Sequence, residues 1–139
     1  MAVEITDEIA EQINTALEGG VPCLVATTTK DGKPDIAIRG SVYVFDKDHL
    51  AFWERSHGES LANLRENPGV AVFFRNPATR ASFRFYGTAT LHEAGDPKRD
   101  EIMARVVERE LNADPERKGY GVMIEVDRVR QGGNVIMER

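Results

Sequence analysis

The stretch from Leu50 to Arg75, LAFWERSHGESLANLRENPGVAVFFR, limits the fold of this 139-residue chain more than any other part of it. Leu50, Ala51, Phe52 and Trp53 are strand formers, and they run into Glu54, Arg55, Ser56, His57 and Gly58, a polar cluster that cannot continue a buried strand. The chain must surface there. Ser60 is placed to cap a short helix through Leu61, Ala62, Asn63, Leu64 and Arg65, and Asn67-Pro68-Gly69 ends it. Val70 to Phe74 then resumes a buried strand. Such a corner gathers free backbone N–H groups at a helix start, which suits an anion and serves equally as an ordinary solvated loop.

The flanking chain follows the same grammar. Thr6 or Asp7 can cap a first helix to about Glu18, with Ile9, Ile13, Ala16 and Leu17 at helical spacing and Gly19-Gly20 closing it. Val21 to Thr29 is rich in β-branched residues, and Lys30 to Pro34 holds an Asp-Gly turn that predicts a hairpin to a second strand, Asp35 to Phe45. Asp46-Lys47-Asp48 turns that strand into the one at Leu50, giving an antiparallel meander. The longest strand is expected from Ala81 to Glu93, with Phe83, Phe85, Ala89 and Leu91 on one face and Ser82, Arg84, Tyr86, Thr88 and Thr90 on the other. A helix from Lys98 to about Glu110, a polar linker from Asn112 to Lys118, a last strand from Tyr120 to Val129 and a short apolar tail at Val135 to Met137 complete the chain. About six strands joined by hairpins, with three helices, argue a mainly β antiparallel barrel with flanking helices. No repeat or shift of composition divides residues 1–139, so a single domain is expected.

Composition excludes several classes. The chain is 41% hydrophobic and 29% charged with a formal net charge of -5, so neither a nucleic-acid surface nor an anionic membrane suits its overall field. An anion site must be local. No basic leader or membrane-length apolar run is present, which makes the cytoplasm the expected location. The lone Cys23, inside the apolar run Val21 to Ala26, reads as a small buried hydrophobe and forms no internal disulfide.

The anomaly is arginine within strands: Arg39, Arg75 and Arg84 interrupt apolar or hydroxylated runs, and Arg55 and Arg80 lie just past strand ends. A guanidinium is costly to desolvate unless paired, and its planar fork matches phosphate or carboxylate. Pairing with Glu54, Glu93 or Glu125 is the plainer account of each one alone; the group together asks for a ligand. Trp53 and Tyr86 serve a core or a ligand platform. No phosphate-binding loop, dinucleotide fingerprint or nucleophile elbow occurs, and His49, His57 and His92 show no carboxylate at metal spacing. No metal is expected, no residue stands out as catalytic acid or base, and redox chemistry would fall to a bound cofactor.

VPCLVATTTKDGKPDIAI, HLAFWERSHGESLANLRENPGVAVFF and FRFYGTATL together resemble the FMN-binding split-barrel family related to pyridoxamine 5'-phosphate oxidase, over nearly the whole chain. That resemblance implies a six-stranded antiparallel split barrel with flanking helices. It also implies a homodimer with two FMN sites at the subunit interface and a small organic substrate. By position it puts Arg39, Gly40, Ser41 and Val42 along the flavin ring and Trp53 and Glu54 against the cofactor. It gives the corner from Ser56 to Ser60 to the phosphate, where Arg55, Arg39 or Arg84 can supply positive charge, and Ser82 with Arg84 to the closure of the ring from across the interface. The positions matching a basic Ser-Arg-Lys-like set are Gly58, Glu59 and Ser60. That departure leaves room for a deazaflavin coenzyme, or for a non-catalytic flavin or haem binder. A C-terminal substrate-recognition segment is not expected here, so pyridoxamine phosphate oxidase activity itself is not implied.

Overall fold

The Asp31-Gly32 turn forms as its chemistry requires, with Gly32 at φ 84° and its N–H donating to the Thr29 carbonyl at 3.0 Å. In the computed structural model, which describes residues 2–139, this turn joins β1 (Cys23–Thr28) to β2 (Pro34–Arg39). The register sets Cys23 opposite Arg39 and Thr28 opposite Pro34. The remaining elements are α1 (Asp7–Asn14), β3 (Tyr43–Asp46), β4 (His49–Glu54), α2 (Glu59–Glu66), β5 (Gly69–Asn76), β6 (Ala81–His92), α3 (Pro97–Met103), α4 (Glu108–Asn112), β7 (Tyr120–Gln131) and β8 (Asn134–Glu138). The strands pair antiparallel in the order β2-β1-β5-β6-β7-β4-β3, and β8 adds to β7. This is the mainly β antiparallel architecture with flanking helices that the sequence predicts.

Two differences raise the strand count from six to eight. The ribbon expected from Asp35 to Phe45 is two strands, broken at Gly40-Ser41-Val42, and its halves lie at opposite ends of the sheet order. One piece of chain therefore serves both ends. The apolar tail becomes β8 because Gly132, at φ 57°, turns it back onto β7.

The helices also differ. Thr6 caps α1, its hydroxyl accepting from the Ile9 N–H at 3.2 Å, but the helix stops at Asn14, short of Glu18. There the Asn14 side chain accepts from the Val44 N–H at 2.8 Å, and looser turns follow to Gly20. Gly58, not Ser60, is the N-cap of α2, and no side chain caps that helix. The helix expected from Lys98 to Glu110 is two, because Val106 leaves the helical path to pack beside Tyr43, Trp53 and Ile102.

The interior of the barrel is apolar: Val25, Leu50, Phe52, Val72, Phe85, Val122 and Val126 fill it, and Ile9 and Ile13 of α1 pack into the same core. Each such side chain contributes about 1.5–3 kcal/mol by leaving water. A second, smaller core lies outside the sheet, where α3 covers Tyr43, Ala51, Trp53 and Met123 with Ile102. Cys23 is buried and burial pushes its thiol up to about 12, which suits a packing role.

One position controls the register of the long strands. β7 carries an extra residue opposite the step from Tyr86 to Gly87, and a Cβ on Gly87 would lie 2.1 Å from the Glu125 carbonyl oxygen. The close approach admits no side chain. Gly87→Ala is expected to lose about 3 kcal/mol of stability in urea unfolding, since the obstacle is backbone; an unchanged midpoint would contradict this account of the crossing.

Candidate functional site

The break between β2 and β3 builds the site. Ser41 is buried, and its hydroxyl accepts from the Trp53 N–H at 2.9 Å while donating to the Trp53 carbonyl at 3.2 Å, so a side chain completes the ladder where the backbone departs. Gly40 lets other elements come close: a Cβ there would sit 2.9 Å from Leu17 and 3.3 Å from the Glu110 carboxyl. Arg39, at the end of β2, is thereby set against Glu54, at the end of β4.

The Arg39 guanidinium grips Glu54 as a fork, Nε donating at 2.9 and 3.1 Å to the two carboxylate oxygens and Nη2 at 2.8 Å to Oε1. Glu54 has 0% of its side chain exposed against 19% for Arg39. Burial pushes the Glu54 carboxyl above its ordinary range, outweighing the opposing pull of Arg39. The pair lines a cleft of about 130 Å³ with Trp53, Arg55, Ser56 and Glu110. Five of the candidate residues thus meet in one place: Arg39, Trp53, Glu54, Arg55 and Ser56. Ser41 and Val42 lie buried behind them, and Gly40 flanks them. Ser60, half-buried, stands in the first turn of α2 beside Glu59.

Ser82 and Arg84 do not enter that cleft; they stand on the outer face of β6. Across β2, β1, β5, β6 and β7 the register aligns Ile38, Leu24, Phe73, Arg84 and Arg130 in one row. Ile36, Ala26, Ala71, Tyr86 and Arg128 form the next. Ile36 and Ile38 are 61% and 62% exposed, and no helix covers them. Arg84 lies over the Phe73 ring at 4.8 Å and Arg128 over Tyr86 at 4.2 Å. Among the described residues, none of the ion pairs involves Arg84, Arg128 or Arg130. The sequence reading missed Arg128 and Arg130, although their alternation with Val129 and Gln131 is an outward strand signal. It also missed the exposed isoleucines, whose alternation suits either face.

Trp53 is fixed from both sides. Its indole Nε1 donates to Asp114 at 2.9 Å, and the Arg99 guanidinium lies over its ring at 4.8 Å. Asp114 also accepts from the Lys118 and Gly119 N–H groups at 3.0 and 2.8 Å. Burial raises the Asp114 carboxyl, but these donors win and hold it below the ordinary range. No sequence signal marked Asp114 inside its polar linker. The histidines differ from expectation in one respect. Among the described residues, Asp46, Asp48 and His49 bring ligand-type atoms within 4.8 Å of one another, so a carboxylate does stand at metal spacing. His49 Nδ1 lies 2.8 Å from an oxygen of each aspartate, and Asp48 also pairs with Arg139.

A barrel of this order, with a polar cleft at its seam and an uncovered arginine-bearing face, defines a split-barrel protein. The chain belongs to the pyridoxamine 5'-phosphate oxidase family, whose model matches residues 9–131. It is 26% identical over 123 residues to an uncharacterized protein of Methanocaldococcus jannaschii, covering 87% of this chain and 76% of that protein. Among solved structures it resembles HupZ of Group A Streptococcus, with TM-score 0.71, 22% identity and coverage of 97% of this chain and 98% of that one. A pyridoxamine 5'-phosphate oxidase-related, FMN binding protein of Nostoc punctiforme matches with TM-score 0.67 and 16% identity over 86% of this chain and 78% of that one. An F420 reductase matches with TM-score 0.59 and 16% identity over 79% and 89%. These likenesses establish the fold. None of the described helices is long and apolar enough to cross a membrane.

The lowered Asp114 carboxyl sets the sign of a pH effect. Its contribution to stability is complete above its ordinary value of 3.8 and is lost as pH falls through the depressed folded value. Asp114→Asn should therefore be less stable than the parent at pH 7 by urea midpoint, with the gap narrowing below pH 3.8. A gap that widens in acid would reverse the assignment.

Proposed function

We propose that this chain is a single-domain, cytoplasmic FMN-binding oxidoreductase that works as a homodimer, with each flavin held at the interface between two copies. The observation that carries the reading is a mismatch of size next to an uncovered face. The cleft at the seam measures about 130 Å³, while sites for drug-sized ligands run to about 300–1,000 Å³. At the seam, one copy offers a corner, not a chamber. A second copy seated on the face of Ile36, Ile38, Phe73 and Arg84 would wall it in.

The residues present suit the two ends of such a ligand. Arg55, Ser56, Ser60 and the uncapped start of α2 offer donors to a phosphate. The Gly40 to Val42 backbone runs where the ring edge would lie, Trp53 gives a rigid wall, and Ser82 with Arg84 closes from across the interface. Arg39 is engaged by Glu54, so its contact would be the polar edge of the ring rather than the phosphate. When bound, FMN supplies hydride transfer to or from a small organic substrate. The protein's part is to hold, orient and exclude water.

Glu54 and Glu59 favour a second reading. Two carboxylates at the corner oppose a phosphate dianion, so a non-catalytic flavin or haem binder also suits the cleft; the likeness to an F420 reductase keeps a deazaflavin coenzyme as the alternative redox cofactor. Titration of the apo-protein with FMN, riboflavin and a deazaflavin, read by fluorescence and absorbance, separates these. Tighter binding of FMN than riboflavin supports the phosphate corner; riboflavin binding as well as FMN does not.

Loss of a charge-assisted contact in Arg84→Ala should weaken FMN binding about tenfold or more. Ile38→Asp should convert a dimer to a monomer on sizing with light scattering, and lose FMN in the same step. A monomeric Ile38→Asp that keeps its flavin would defeat the interfacial reading.

A further inference from the structure

Away from the seam and from the arginines of the outer face, positive charge also gathers around a second and larger cleft. It measures about 430 Å³ and is lined by Glu93, Arg99, Arg117, Lys118, Gly119 and Tyr120, at the end where β7 begins. Three cations face one carboxylate there, in a chain whose formal net charge is -5. We propose that this cleft is a binding site for a small organic anion, recognised through its carboxylate or phosphate group, and distinct from the corner assigned to the flavin.

Arg99 carries the argument. It is only 7% exposed, and among the described residues it forms no ion pair. A guanidinium removed from water without a counter-charge is costly. Its compensation is partial: Nε donates to the Gly119 carbonyl at 3.1 Å, Nη2 donates to the Arg117 carbonyl, and the Trp53 ring lies beneath it. Nη1 donates to none of the described residues. Yet no buried side-chain nitrogen or oxygen among them lacks a partner. Nη1 is therefore not sealed from solvent, and Arg99 is part of the lining of the cleft.

The other walls complete a donor set. Arg117 is held by its own guanidinium, whose Nη1 donates to the Leu111 and Asp114 carbonyls at 2.7 Å each, so its position is preorganised. Lys118 has its amine 3.6 Å from Glu116, an open surface contact between side chains 70% and 74% exposed, which leaves it free to turn to a ligand. The Tyr120 hydroxyl accepts from Arg65 at 2.8 Å and keeps its own proton to donate. Glu93 is the one carboxylate in the lining itself, with Glu116 beside Lys118 at the rim. The size of the cleft suits a small organic molecule.

The site stands whether or not a flavin binds, and the test separates the two. Isothermal titration of the full chain with succinate and, in parallel, with inorganic phosphate should give saturable binding of at least one probe at one site per chain. Lys118→Glu, at an exposed position that should not disturb folding, should weaken that binding about tenfold or more. Arg99→Gln should abolish it, and circular dichroism checks that this variant is folded. Binding should persist when the protein is first loaded with FMN. The proposal is overturned if neither probe saturates, if Lys118→Glu binds as the parent does, or if FMN displaces the probe and Arg55→Ala removes it. In that last case the anion occupies the flavin corner.

Discussion

A single ribbon of chain reaches both ends of the sheet, and the hydroxyl of Ser41 is what makes that possible. Where the backbone departs between β2 and β3, the N–H and carbonyl of Trp53 would otherwise be left without partners in a buried place. Such groups cost about 1–3 kcal/mol each when orphaned. Ser41 satisfies both with one oxygen. The barrel can then close through a short irregular segment, and that segment brings Arg39 up to Glu54. The cleft is a by-product of closure: a polar pair at a seam, floored by Trp53 and overlooked by Gly40.

The sheet has three surfaces with different treatment. Its interior is filled by apolar side chains and α1. The outer face of β3, β4 and the first half of β7 is covered by α3, which gives Trp53 and Met123 a second core. Among the described residues no helix lies over the outer face of β2, β1, β5 and β6, yet it bears Ile36, Ile38 and Phe73 next to arginines that form no ion pair. The bulge opposite Gly87 separates the two outer treatments along β7, since it turns Arg128 and Arg130 outward after Val126 has faced in. A mixed face of aromatic, aliphatic and arginine side chains has the composition of protein interfaces, which is why the proposed function places a second copy there.

Much of this was legible in the amino acids. Alternation over Ala81 to Glu93 marks β6, which ends one residue earlier, with its faces correct; Asp-Gly marks the first hairpin, and Thr6 marks the start of α1. The chain surfaces at Arg55 to Gly58 and a helix follows, as the punctuation predicts, although β4 runs one residue further than expected and carries Glu54 fully buried. What eluded a linear reading was nonlocal. The ribbon from Asp35 to Phe45 alternates without interruption, so nothing in it announces that Gly40 is a seam. The stretch from Lys98 to Glu110 has helical composition throughout, and only the pull of the core on Val106 divides it. Asp114 looks like any linker aspartate until Trp53, 61 residues away, donates to it.

Side-chain periodicity and turn chemistry act between near neighbours, so the sequence by itself determined which segments are strands, where they turn, which faces are apolar, and that arginines intrude among them. The pairing of those arginines depends on separations of tens of residues and on which backbone groups lack partners. Folding alone decided that Arg39 faces Glu54, that Arg84 stands on an open face, and that Arg99 is buried with no ion pair among the described residues. Electrostatic energy depends on distance and burial in space, and neither is a property of position along a chain.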